Sequence, residues 1–224
     1  KHNIYMIEDS AESLGSTYKD VRAGKFGIGS VFSFHRTKTI TTGEGGMLLI
    51  DDEDLFQRCK FLHDHGRQPG SYFNTEVTFK YMPFNVQAAL GYAQFKRIDE
   101  LVGKKRWILK GFKERLSDIP DLLMNPEPEH IVNGAWATAL VFGKSHNMTR
   151  DLALKELPKL NLPVRPFFYP LSSLPAFNDE EYGKKNNPVS YDVSSRGINL
   201  PCALNLTDDD LDKYSNGIHS LLER

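Results

Sequence analysis

Three side chains near the start of the chain have the chemistry needed to hold a carbonyl-bearing cofactor. Asp9 ends one short apolar segment, while Ser33 and Lys38 lie at and just after the end of another. A lysine amine can bond to an aldehyde, a carboxylate can keep a pyridine nitrogen protonated, and a hydroxyl can donate to a phosphate. Each residue alone is typical of a helix cap or a solvated loop. In combination they fit pyridoxal 5'-phosphate (PLP). Lys38 would also act as the base and acid that moves a proton between the substrate carbon and C4′ of the cofactor.

The elements that must position these side chains are predicted to be strands of one sheet together with helices. Apolar runs at Ile4–Ile7, Val31–Phe34 and Met47–Ile50 have the length of buried strands and predict three strands of one sheet. Asp51-Asp52 then predicts the cap of a helix that is closed near Gly66. Asp9 comes directly after the first run, where open α/β sheets place ligand-binding groups.

From Asn85, apolar residues at three- and four-residue steps predict a long helix that runs or kinks on through Leu116 and stops at Ile119-Pro120. A helix of this length is suited to bridge two domains. Beyond it we expect a smaller α+β unit. Its predicted elements are a strand at Trp136–Phe142, a short helix near Arg150–Leu160, and a terminal helix after Thr207, which forms a capping box with Asp210.

Composition limits the classes of partner. The 224 residues are 40% hydrophobic and 25% charged, with a formal charge of -1, so no basic excess points to nucleic acid. Cys59 and Cys202 are far apart and stand in no metal-binding spacing, which predicts neither a disulfide framework nor a metal site. No apolar run approaches the roughly 18 residues of a membrane span. We therefore expect a cytoplasmic protein with no membrane partner.

Several motifs together resemble the DegT/DnrJ/EryC1/StrS sugar aminotransferases in order, spacing and residue type, and the likeness covers nearly the whole chain. They are Ile7-Glu8-Asp9-Ser10-Ala11-Glu12-Ser13-Leu14-Gly15-Ser16, Val31-Phe32-Ser33-Phe34-His35-Arg36-Thr37-Lys38, Thr41-Thr42-Gly43-Glu44-Gly45-Gly46-Met47, His65-Gly66-Arg67, Asn85-Val86-Gln87-Ala88-Ala89-Leu90-Gly91, Arg165-Pro166-Phe167-Phe168-Tyr169-Pro170-Leu171 and Gly197-Ile198-Asn199-Leu200-Pro201.

The resemblance implies an α/β protein of PLP-transferase fold type I, the aspartate-aminotransferase-like fold. Residues 1–105 would be the C-terminal part of the large PLP-binding domain, and residues 106–224 the small α+β C-terminal domain. The family's usual arrangement is a homodimer with shared active sites and glutamate as amino donor. Members of the family are longer at the amino-terminal end, where further cofactor contacts lie, so we expect this sequence to be part of a longer protein.

By position, the resemblance also implies roles for individual residues. Lys38 matches the lysine that bonds to PLP, Asp9 the partner of the pyridine nitrogen, Glu12 a residue beside the cofactor, and Ser33 a phosphate ligand. Lys80 stands where many members have an asparagine that reaches the neighbouring subunit's phosphate. Met82, close by, stands where many have arginine.

Arg67 and Arg165 are expected to face the substrate, since a nucleotide diphosphate calls for cationic donors. His35, three residues before Lys38, is also expected to face the substrate and stands where an aromatic residue is common in the family. The stretch from Lys38 to Gly46 is most similar to members that aminate C4 of GDP-4-keto-6-deoxymannose to give GDP-perosamine. Three alternatives stay open: a sugar 3-aminotransferase, a dehydratase acting on another nucleotide sugar, and a catalytically silent fragment. Dehydratases of the family have histidine in place of the lysine, so Lys38 favours the aminotransferase.

Overall fold

The computed structural model describes residue 2 and residues 4–177 and 179–223. The strands are β1 Ile7–Asp9, β2 Thr17–Tyr18, β3 Val21–Arg22, β4 Gly29–Ser33, β5 Gly46–Leu49, β6 Leu123–Met124, β7 Ile131–Val132, β8 Thr138–Val141, β9 Arg165–Pro166 and β10 Gly197–Leu200. The helices are α1 Glu53–His63, α2 Asn85–Phe95, α3 Ile98–Arg115, α4 Arg150–Glu156, α5 Glu180–Asn186, α6 Pro188–Arg196 and α7 Asp208–Leu222.

The chain divides into two compact units. The first contains Lys1–Val102 together with Glu129–Trp136, and the second contains Gly103–Pro128 together with Ala137–Arg224. A short segment far along the sequence therefore belongs to the unit that carries Asp9, Ser33 and Lys38.

The main sheet of the first unit has the order β1-β4-β5, which confirms the three predicted strands of one sheet. β1 runs parallel to β4 with Asp9 opposite Val31, and β4 runs antiparallel to β5 with Ser33 opposite Gly46. The prediction that the first strand covers Ile4–Ile7 was wrong. The strand is Ile7–Asp9, because its ladder with β4 begins where Ile7 lies opposite Gly29.

A second, smaller sheet in this unit has the order β3-β2-β7. Tyr18 of β2 pairs with Ile131 of β7, and Thr17 pairs with Val132. This pairing joins residues 131–132 to the segment that follows Glu12.

The helices of the first unit follow the predicted signals with one exception. Asp52 caps α1 by accepting the Leu55 N–H at 2.8 Å, as expected. The single long helix expected from Asn85 is instead α2 and α3, separated by a tight turn in which the Arg97 N–H donates to the Gln94 carbonyl. The Gln94 amide also donates to the Thr41 carbonyl at 2.7 Å, so the end of α2 is tied to the loop before β5.

The second unit is built on an antiparallel sheet of order β6-β8-β10-β9. The predicted strand at Trp136–Phe142 is shorter, Thr138–Val141, and the predicted helix near Arg150 is α4 followed by a 3-10 turn at Leu157–Leu160. The capping box of Thr207 and Asp210 at the start of α7 is confirmed. Fully buried side chains fill the core, among them Phe112, Leu140, Phe142, Leu157, Ile198, Leu211 and Ile218.

Candidate functional site

Asp9 and Ser33 lie on one face of the main sheet. Asp9 is the last residue of β1 and pairs with Val31, and Ser33 lies two residues further along the parallel neighbour β4. Paired residues and residues two apart along a strand point to the same side, and standard strand spacings put the two Cα atoms roughly 8 Å apart. One carboxylate oxygen of Asp9 accepts the Ala11 N–H at 3.1 Å. A carboxylate and a hydroxyl therefore share this sheet edge and face.

The Lys38 amine is held between a carboxylate and an aromatic ring. Its Nζ donates to Glu12 Oε1 at 2.8 Å and lies 4.2 Å from the centroid of the Trp136 ring. The Lys38 side chain is only 13% exposed, whereas that of Glu12 is 49% exposed. The amine is therefore largely shielded from solvent, and its salt bridge opens to solvent on the Glu12 side.

Four of these residues line one small cavity. Glu12, Ser33, Lys38 and Trp136 border a space of about 10 Å³, together with apolar side chains such as Phe32. That volume holds about one water molecule. The structure thus brings together three predicted site residues and one that the sequence did not nominate.

Trp136 reaches this cavity because the residues before it form a tight buried turn. The Gly134 N–H donates to Ser16 Oγ at 2.9 Å, and the Ala135 N–H donates to Asn133 Oδ1 at 2.8 Å. Ala135 has a φ of 55°, in the left-handed region, and is fully buried. Trp136 was expected to begin a strand, and it instead turns toward the Lys38 loop, where its Nε1–H donates to the Thr37 carbonyl at 3.0 Å.

His35 lies in the loop that follows Ser33, the last residue of β4. The His35 N–H donates to Ser33 Oγ at 3.2 Å, and His35 Nδ1 lies 3.0 Å from Thr37 Oγ1. His35 Nε2 lies 3.6 Å from a carboxylate oxygen of Glu44. Because Ser33 Oγ accepts the backbone N–H, its own proton can point toward another acceptor.

Glu8, next to Asp9, fixes the segment that leads into β4. Its carboxylate accepts N–H groups from Gly24 at 2.7 Å, from Gly27 at 2.9 Å, and from Phe26. Burial acts to raise the pKa of Glu8, but the three backbone donors outweigh it and lower that pKa below its ordinary value. Glu8 therefore stabilises the loop beside Asp9 as a carboxylate.

The remaining predicted residues do not line this cavity. Arg67 borders a separate cavity of about 600 Å³ with Lys60 and His63, and its guanidinium carbon lies 5.4 Å from the Tyr72 ring. Its Nε is shielded from solvent and has no hydrogen-bond partner within the described part of the chain. Lys80 is exposed, with its Nζ 5.5 Å from the Phe84 ring.

Arg165 lies in β9 of the second unit, where it pairs with Asn199 of β10. Within residues 2, 4–177 and 179–223, no group of three or more His, Cys, Asp or Glu side chains is arranged to hold a metal ion. Among the helices of those same residues, none combines the length and apolar character that a membrane span requires.

The fold is PLP-transferase fold type I, because the chain superposes on a solved structure of this fold, with a carboxylate at the end of β1 and a lysine in the loop after β4. Residues 1–219 match the profile of the DegT/DnrJ/EryC1/StrS aminotransferase family, and the chain belongs to this family.

Known relatives agree with this assignment. The chain is 34% identical over 220 residues to GDP-perosamine synthase of Vibrio cholerae, covering 97% of this chain and 59% of that protein. It is 33% identical over 210 residues to GDP-perosamine synthase of Escherichia coli O157:H7, covering 92% of this chain and 55% of the relative. The chain thus spans less than two thirds of the length of these relatives.

A solved structure shows the same fold. Spr1654 of Streptococcus pneumoniae in its PLP-form superposes with a TM-score of 0.88 at 25% identity, covering 98% of this chain and 58% of that chain.

Proposed function

We propose that this chain provides the cofactor lysine and the adjoining cofactor contacts of a PLP-dependent aminotransferase that acts on a nucleotide-linked 4-keto-6-deoxy sugar. The observation that supports it most is the setting of Lys38, whose amine is largely shielded beside Glu12 and shares a cavity with Ser33. Spr1654, a relative of the same fold, was solved in a PLP-form.

The side chains present fit this cofactor in chemical kind. Lys38 provides the amine, Asp9 the carboxylate for the ring nitrogen, and Ser33 the hydroxyl for the phosphate. The roughly 8 Å between the Cα atoms of Asp9 and Ser33 lets their side chains reach opposite ends of one small ring. Lys80 is proposed to contact the phosphate of the neighbouring subunit.

When bound, PLP supplies the electron sink that stabilises a carbanion on the substrate. Lys38 Nζ would hold the cofactor and would then carry the proton between the substrate carbon and the C4′ carbon of the cofactor. Glu12 Oε1, at 2.8 Å, orients that amine. Asp9 keeps the ring nitrogen protonated, since a carboxylate beside a cationic nitrogen favours the charged form.

For the substrate we propose GDP-4-keto-6-deoxymannose, aminated at C4 to GDP-perosamine with glutamate as donor. Three relatives that are 30 to 34% identical are GDP-perosamine synthases. His35, Arg67 and Arg165 are the proposed substrate contacts. Arg67 fits an anionic ligand because its cavity also has Lys60 and His63 on its walls, against the one carboxylate of Asp64.

The proposal also includes the domain organisation of the chain. Residues 1–105 are assigned to the large domain and residues 106–224 to the small one. The homodimer and the cytoplasmic location expected from the sequence stay predictions.

The test is an assay of the purified protein with PLP, glutamate and a panel of GDP-, dTDP- and UDP-linked 4-keto sugars. We expect 2-oxoglutarate and an amino sugar with the GDP-linked substrate, and no product from a Lys38→Ala variant. A preference for another nucleotide would refute the substrate assignment. Absence of covalent PLP capture, with no turnover on any sugar, would instead favour a catalytically silent fragment that binds no cofactor.

A further inference from the structure

We propose that Trp136 is a positioning residue for Lys38, acting through one contact to the backbone and a second to the amine. The inference rests on the proposed function only for what Lys38 does, since both contacts are made within this chain.

The first contact fixes the backbone beside Lys38. The indole Nε1–H of Trp136 donates to the Thr37 carbonyl at 3.0 Å. That carbonyl belongs to the peptide that joins Thr37 to Lys38, inside a turn that the Lys38 N–H closes on the His35 carbonyl at 2.9 Å. A donor at this peptide sets the direction in which the Lys38 side chain leaves the loop.

The second contact fixes the other end of the same side chain. Lys38 Nζ lies 4.2 Å from the Trp136 ring centroid and 2.8 Å from Glu12 Oε1. Indole attracts a cation more strongly than the other aromatic side chains do. The ring therefore limits where the amine can lie, and it also covers a side chain that is only 13% exposed.

Trp136 can act as a support because it is itself anchored. A Cβ added at Gly134 would lie 2.2 Å from the Leu14 carbonyl oxygen, so the turn before Trp136 is packed directly on the residues after Glu12. The Gly134 N–H bond to Ser16 and the pairing of β7 with β2 hold the two segments together. Glu12 and Trp136 thus approach the amine from one connected piece of structure.

Two variants separate the two contacts. Trp136→Phe keeps a ring over the amine and removes the N–H donor, and Trp136→Leu removes both. The first measurement is the covalent capture of PLP, which is monitored through the visible absorbance of the bound cofactor as the PLP concentration is raised. The second is the acetylation of Lys38 by acetic anhydride, quantified by peptide mass spectrometry relative to the exposed Lys25.

We expect opposite signs in the two measurements. Trp136→Leu should lower the apparent affinity for covalent PLP capture roughly tenfold or more, because a misplaced amine no longer meets the aldehyde. It should raise Lys38 acetylation several-fold, because the cover over the amine is removed. Trp136→Phe should weaken capture only about threefold, the effect of one hydrogen bond.

Trp107 offers a matched control, since its ring lies 3.5 Å from Lys104 Nζ in the second unit. Trp107→Leu should leave capture and Lys38 acetylation unchanged. The proposal is overturned if Trp136→Leu changes neither measurement. It is also overturned if acetylation rises equally at all lysines together with a lower thermal midpoint, since Trp136 would then support only the fold. Should the unaltered protein capture no PLP, the proposed function fails, while the acetylation of Lys38 still decides the role of Trp136.

Discussion

Replacing Glu8 with glutamine should destabilise the first unit at neutral pH and have little effect in acid. One carboxylate oxygen accepts the Gly24 N–H, and the other accepts those of Phe26 and Gly27. Glutamine has only one acceptor oxygen and would turn its NH₂ group toward a backbone donor. Losing one bond to a charged group costs about 1.5–3 kcal/mol. Because the Glu8 side chain is partly open to solvent, we expect about 2 kcal/mol.

The dependence on pH gives the sharper test. The pKa of Glu8 in the folded protein lies below its ordinary value of 4.5. A lowered folded-state pKa adds stability that is complete above the unfolded value and is lost as the pH falls through the folded value. The difference in free energy of unfolding between the unaltered protein and Glu8→Gln should therefore be largest near neutral pH and should disappear in acid.

Urea unfolding at several pH values, combined with hydrogen exchange at the amides of Gly24, Phe26 and Gly27, measures this difference. Glu100→Gln is the control, because its pair with Arg97 is about 60% exposed on both sides and should contribute little. The reasoning would be refuted if the unaltered protein and Glu8→Gln differed in free energy of unfolding by the same amount at neutral and acid pH. Unchanged exchange at the three amides would also refute it.

Two further predictions concern the second unit. Phe112→Ala should lower the free energy of unfolding by about 3–5 kcal/mol, because Phe112 is fully buried in the core and leaves a cavity; a loss under 1 kcal/mol in urea unfolding would contradict this packing. Thr207→Ala should cost about 1 kcal/mol, because its side chain caps α7 by accepting the Asp210 N–H. Thr207→Ser, which keeps the hydroxyl, should recover most of that loss, and equal effects of the two substitutions would contradict the cap.

Features that depend on neighbouring residues could be predicted from the sequence. The cap of α1 at Asp52 and the capping box of α7 are formed by residues three apart, so their signal is contained in a single turn. The positions of Asp9 and Ser33 follow from the ends of two apolar runs that pair as parallel strands. Local chemistry therefore nominated the residues of the candidate site.

Features that depend on distant contacts could not be predicted. The break between α2 and α3 accompanies the bond of Gln94 to Thr41, 53 residues away, and the apolar pattern continues across the break. Trp136 contacts Thr37 across 99 residues, and no local pattern distinguishes it from the start of a strand. Its only sequence signal is the turn-forming Asn133-Gly134, separated from it by Ala135.

The central strand β10 and the helices α5 and α6 were also missed. Gly197–Leu200 is too short to show an alternating pattern, and its place in the sheet is set by pairing with β8 and β9. Gly197 packs so closely that an added Cβ would lie 2.4 Å from the Phe167 ring. Packing of this kind appears only once the sheet is assembled.

The central claim is that the Lys38 amine is the point at which PLP is held. Borohydride reduction of the PLP-loaded protein, followed by peptide mass spectrometry, fixes the cofactor on whichever amine holds it. We expect a single modified peptide that contains Lys38, no modification in Lys38→Ala, and an unchanged result in the control Lys25→Ala. Modification at another lysine, or spread over several, would contradict the account.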